Sequence, residues 1–163
     1  MPATPAATNR STRCRLAGAL LLLATLAPAL SSPPAGAQDL RGRAVYSPQA
    51  AVKNALNLDR TNAGVRALRT QAEAQAKAQA WANRLASEGR IYHSTLTDGI
   101  RARWCSLGEN VGYGPSVGAI DVAYMNSPHH RANILNPKWN GVGVGYATRG
   151  KQVYTVHVFI KTC

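Results

Sequence analysis

The side chains richest in chemistry lie in the run Ser127-Pro128-His129-His130-Arg131-Ala132-Asn133-Ile134-Leu135-Asn136-Pro137 and, upstream, in Gly108-Glu109-Asn110. Proline at the first position of a helix needs no N–H, and Ser127 stands where it can cap. A short helix over Pro128–Leu135 is therefore expected, with His130 and Arg131 in its opening turn. His93 lies far back in the chain. Two imidazoles and a carboxylate (His93, His130 and Glu109) suit a Zn²⁺ ion with open positions, the histidines as ligands and Glu109 assisting. The same glutamate can instead hold a histidine in one tautomer or satisfy loop N–H groups. His129 sits about 100° around the helix from His130, so it reads as rim or surface.

The zinc-protease motif H-E-x-x-H is absent. Ser94 follows His93 directly, and sequence neighbours rarely form a nucleophile–base pair. A hydrolase would need a metal at His93/Glu109/His130. The set is otherwise that of a non-catalytic cleft, with Asn110, Arg131 and Asn133 bracing its loops by hydrogen bonds.

The elements that position these residues follow from periodicity. Val52, Ala55, Leu56 and Asp59 keep helical spacing, and Asn62-Ala63-Gly64 ends a first helix begun at Pro48. A second helix is expected from about Thr70 to Ser87, with Ala74, Ala78, Trp81 and Leu85 as a core stripe and Gly89 as its stop. A third runs from Ser116 to Asn126, with Val117, Ile120, Val122, Ala123 and Tyr124 as most of its apolar surface. The period then changes to two. Val142, Val144 and Tyr146 alternate with Gly141, Gly143 and Gly145, and Tyr154, Val156, Val158 and Ile160 follow beyond Arg149-Gly150-Lys151, a β-hairpin. Glycines at alternate positions of the first hairpin strand imply that another chain segment approaches that face closely. A further strand is expected near Trp104–Val111. Helices flanking a small, mostly antiparallel sheet make an α/β domain.

The N-terminal 37 residues read as a leader rather than as fold. Arg10, Arg13 and Arg15 precede the 15-residue apolar stretch Leu16–Leu30, too short to span a bilayer comfortably, and Ala35-Gly36-Ala37 fits an A-x-A cleavage site. Cleavage near Ala37-Gln38 gives a secreted chain with a flexible lead-in over 38–47, one domain over 48–163 and no transmembrane segment. Sixteen basic and seven acidic residues remain, a net charge of +9. That surplus favours an anionic neighbour such as a cell-wall polymer or a lipid surface. Nucleic acid is not expected, because the chain is exported and carries no basic-aromatic recognition motif. Two cysteines survive cleavage, and an even count in an exported chain predicts a Cys105–Cys163 disulfide.

Five segments in order resemble the CAP superfamily, the SCP-like extracellular domain, in its bacterial form. Arg60, Gly64-Val65 and Leu68 look like its N-terminal segment. Tyr92-His93-Ser94 sits where the family has its first cavity histidine, and Gly108-Glu109-Asn110-Val111 is similar to its G-E-N motif. Asn126–Pro137 looks like the bacterial S-P-G-H-R-x-N-I-L signature, with His129 where glycine is frequent, and Gly141–Gly145 is similar to the strand after it. The resemblance implies an α-β-α sandwich, an extracellular location and a central cleft lined by His93, Glu109 and His130. The chain departs from the pattern at Tyr124-Met125-Asn126-Ser127, where eukaryotic members place a second glutamate, and at His157, near where the family often has Gln or Asn. The expected function is a secreted binding module, monomeric, for a lipid, a wall component or a partner protein; the alternative is a metal-dependent, peptidase-like hydrolase.

Overall fold

The computed structural model describes residues 47–163; the leader and nearly all of the lead-in lie outside the described residues. The elements run α1 (Pro48–Asn62), β1 (Arg69–Thr70), α2 (Ala72–Glu88), β2 (Trp104–Gly114), α3 (Val117–Asn126), α4 (Pro128–Leu135), β3 (Gly141–Arg149) and β4 (Gln152–Thr162).

Helix boundaries follow local chemistry. Ser47 caps α1 through its hydroxyl, 3.0 Å from the Ala50 N–H, with Pro48 behind it. Gln71 caps α2, its Oε1 accepting from Ala74 N at 2.6 Å, and Gly89 closes the helix in the left-handed region at φ 73°. The expected start of α2 at Thr70 is corrected: Arg69 and Thr70 pair in parallel with Gly141 and Val142, which holds them extended until Gln71. Ser127 likewise stands at the N-cap of α4 but makes no side-chain capping bond. Its backbone carbonyl accepts from Arg131 N at 2.9 Å instead.

The sheet has strand order β1-β3-β4-β2, with β1–β3 parallel and the other pairs antiparallel. Directly opposed residues share a face, so the register assigns every side chain. One face carries Val142, Val144 and Phe159 against Val52 and Leu56 of α1, Ile120 and Tyr124 of α3, and Ile134 of α4. The other carries Val111, Val156, Val158 and Ile160 against Ala74, Ala78, Ala82 and Leu85 of α2. These three layers are the expected α-β-α sandwich.

Small residues bring α2 unusually close. A Cβ on Gly143 would lie 2.0 Å from the Ala74 carbonyl carbon, and one on Gly145 would lie 2.1 Å from the Ala78 carbonyl oxygen. The close neighbour implied by the glycines of β3 is therefore the backbone of α2. Gln75 and Gln79 exploit that proximity, bonding to the backbone of Val144 and Tyr146. Trp81 packs on the α2-side core from its margin, half-buried, its Nε1 donating to the Tyr92 carbonyl. Val122 falls outside the expected apolar surface of α3, facing outward at 60% exposure.

The Cys105–Cys163 disulfide is present, joining Cα atoms 5.2 Å apart. It forms where β2 bulges against β4, between Trp104 and Ser106. Arg60, fully buried, donates to the carbonyls of Arg66 (2.9 Å), Ile134 (2.5 Å) and Asn136 (3.0 Å). It thereby ties α1 to the C-terminal end of α4, where orphan carbonyls favour a cation.

Candidate functional site

The site is built across β2, an edge strand of the sheet. Its period of two sends the adjacent residues Glu109 and Asn110 to opposite faces. Glu109, opposite Val158, points to the α2 side, where the loop after that helix brings His93 and Ser94. His93 Nδ1 lies 2.8 Å from Glu109 Oε1, which also accepts from the Ser94 N–H at 2.9 Å, and Ser94 Oγ donates to Oε2 at 2.6 Å. The carboxylate is nearly sealed, at 1% side-chain exposure, while the histidine ring is 61% exposed. An ionised carboxylate only accepts, so Nδ1 is the donor and Nε2 is the ring nitrogen turned away from Glu109.

Asn110, opposite His157, points to the other side and anchors α4. Its Nδ2 donates to the His130 carbonyl at 3.1 Å, and its Oδ1 accepts from Asn133 Nδ2 at 2.9 Å. Asn133 also reaches the Glu109 carbonyl at 3.3 Å, and its own carbonyl accepts from Trp139 Nε1 at 2.9 Å. The His130 ring packs edge-on against Tyr124 at 5.0 Å. Tyr124 is fixed in turn through its hydroxyl, 3.1 Å from the Thr155 carbonyl and 3.0 Å from Thr155 Oγ1. Gly112 makes room for that ring, since a Cβ there would lie 2.9 Å from it.

Burial lowers the His130 pKa, and the charges of His93 and His129 lower it further. His130 is thus held neutral at neutral pH and lies within the electrostatic reach of His93. Behind it, His157 is fully buried between Tyr124 and Phe159, its Nδ1 without a partner among the described residues. Burial first, and the His130 charge second, push its pKa down to about 3. Where α3 meets α1, Asp121 is pushed up to about 6 by burial and by the nearby Asp59.

The sequence profile of the CAP family, described as the cysteine-rich secretory protein family, matches residues 53–163. The chain belongs to that family. Three solved structures are similar to this CAP domain. An extracellular protein containing an SCP domain from Bacillus anthracis is 21% identical with a TM-score of 0.60, covering 71% of this chain and 40% of its own. A cysteine-rich secretory protein from Staphylococcus aureus is 22% identical with a TM-score of 0.59, covering 71% and 39%. An outer surface protein from Borrelia burgdorferi is 17% identical with a TM-score of 0.62, covering 71% and 93%. The chain thus spans about two fifths of the first two proteins. At these identities the likeness is one of fold. No curated protein matches the sequence.

Within the CAP domain, Glu109 stands behind His93 rather than beside it. This is the orienting carboxylate–histidine arrangement usual for a metal-ligating imidazole. The free donors are then two imidazoles, fewer than the three protein ligands of a catalytic zinc. Among the described residues no three His, Cys, Asp or Glu side chains are grouped to hold a metal ion. Asn110 and Asn133 join α4 to β2 through their side-chain amides. Arg131 is exposed, makes no side-chain hydrogen bond among the described residues, and acts on Asp59 of α1 through its charge. His129 is exposed, as expected for the rim. The anchoring role of Ser94 and the burial of His157 carried no sequence signal beyond their residue types. No described helix is long and apolar enough to cross a membrane.

Proposed function

We propose that this CAP protein is a secreted, non-catalytic binding module of the bacterial type. In this reading residues 1–37 are a signal peptide cleaved before Gln38, 38–47 are a lead-in, and 48–163 act as a monomeric domain. Its ligand is a lipid, a cell-wall component or a partner protein, held at the cleft of His93, Glu109 and His130, and the positive net charge draws it to anionic surfaces. The observation that carries the reading is the state of Glu109. Both oxygens are committed to His93 and Ser94, so the one carboxylate of the cleft serves as a brace and not as an acid or base.

A second reading, a metal-dependent hydrolase, draws on the same geometry. Glu109 fixes His93 with Nε2 outward, and His130 is kept neutral, which are the conditions for imidazole ligation. A bound Zn²⁺ would supply Lewis acidity and an activated water. A calorimetric zinc titration at neutral pH, run beside peptide-hydrolysis assays on the secreted chain and on His93→Ala and His130→Ala, separates the two. The binding module shows no zinc-dependent turnover. Turnover abolished in both variants refutes the non-catalytic reading.

A further inference from the structure

Away from the histidine cleft, the segment between α1 and α2 meets the end of the sheet around a cavity of about 470 Å³. It is lined by Arg66, Arg69, Thr70, Gln71, Asn140 and Thr162, and by no acidic residue. The hydrogen bonds already made there leave donors over. Gln71 commits its Oε1 to the α2 cap, which leaves its amide NH₂. Thr70 Oγ1 accepts from Lys53 Nζ at 2.9 Å, which leaves the hydroxyl proton. Asn140 and Thr162 satisfy one another. Arg66 and Arg69 are exposed, and neither is ion-paired among the described residues.

The backbone bearing both guanidinium groups is held in place. Arg60 grips the Arg66 carbonyl at 2.9 Å, and Arg69 is fixed by its pairing with Gly141. Among the described residues Arg60 bonds only to carbonyls and to no carboxylate; burial and then the Arg66 charge lower its pKa. Lys53, Arg60, Arg66 and Arg69 together make this corner a concentrated positive field.

We propose that this corner is a second binding site, for a phosphate group carried on a small polyol or sugar, with Arg66 and Arg69 as guanidinium clamps and the Gln71 amide as a third donor. The guanidinium fork matches phosphate oxygens two at a time. The volume falls in the range of small-molecule sites, about 300–1,000 Å³, and exceeds what a bare phosphate fills. The site is separate from His93, Glu109 and His130, so neither proposal depends on the other.

The test is a titration of the full chain with glycerol 3-phosphate, followed by amide chemical shifts and calorimetry. Shifts should concentrate at Arg66–Gln71 and Asn140–Gly141. The double variant Arg66→Gln/Arg69→Gln should weaken binding by about tenfold or more, since hydrogen bonds to charged groups are being removed. A control pair, Arg84→Gln/Lys151→Gln, removes the same charge at the other end of the domain and should cost far less. His93→Ala and His130→Ala should bind glycerol 3-phosphate unchanged. Equal weakening by both charge pairs, shifts scattered over the surface, or no binding overturns the proposal. Phosphatidylcholine vesicles doped with phosphatidylglycerol identify the source of the phosphate. Competition with glycerol 3-phosphate supports the site and assigns a lipid headgroup; absence of competition, with binding retained, supports it and assigns a soluble or polymer-borne ester.

Discussion

His157 makes stability depend on pH in a direction that can be worked out. Its folded pKa is about 3, because burial excludes the charged ring, while the unfolded chain returns it to about 6.5. Between those values the unfolded state binds a proton that the folded state refuses. The contribution is therefore fully present above pH 6.5 and is lost as pH falls toward 3. At about 1.36 kcal/mol per pH unit, lowering pH from 7 to 5 removes about 2 kcal/mol. With a urea slope of roughly 1–3 kcal/mol/M, the midpoint falls by about 1 M. Asp121 and Asp59 work in the opposite sense. Their raised folded pKa values make the folded state bind protons first as pH drops, which stabilises it through the region near pH 6. His130, lowered like His157, adds to the acid loss. The measurement is thus a difference: urea unfolding of the wild type and of His157→Gln at pH 7 and at pH 5. The variant should lose about 2 kcal/mol less than the wild type over that interval. Equal losses in the two proteins would refute the claim that His157 is buried neutral.

Gly143→Ala should destabilise the domain by about 3 kcal/mol or more, because the new methyl meets the α2 backbone and not a movable side chain; Gly118→Ala, on an open helical surface, should be stabilising by about 0.5–1 kcal/mol, and thermal unfolding of the pair checks both. Replacing Cys105 and Cys163 by serine releases a cross-link over 58 residues of separation and should cost up to about 4 kcal/mol by the chain-entropy model; the unreduced wild type should show no free thiol from this pair. Arg60→Met should cost about 3 kcal/mol or more, since the three carbonyls it serves are left without their donor, and denaturant unfolding measures it. Glu109→Gln should release His93 from its single tautomer, which ring ¹⁵N shifts report directly.

Much of the architecture was legible before any coordinates. The limits of α1 and α4 follow from Ser-Pro openings, the end of α2 from Gly89, and the hairpin from its period of two. What escaped was set by tertiary contacts. β1 has only two residues, too few for any period to register, and it exists because β3 offers an edge. Arg60 carries a charge and so reads as surface, yet three carbonyls converge on it. His157 alternates with apolar residues as any strand position does, and only the packing of α3 over β4 buries it. At the candidate site, the residue types announce that His93, Glu109 and His130 can do chemistry. That Glu109 is already spent on His93 and Ser94 depends on a loop conformation no spacing encodes.

The bulged end of β2 reaches further than its own bonds. Glu109 and Asn110 serve opposite sides of one strand, so a slip of β2 by a single position along β4 would exchange their faces and undo the His93 brace and the α4 anchor together. The bridge from Cys105 to the chain's last residue, placed at the bulge, blocks that slip. Reduction of the pair would therefore act twice, removing the stability the cross-link supplies and loosening the register that sends Glu109 and Asn110 to their separate faces.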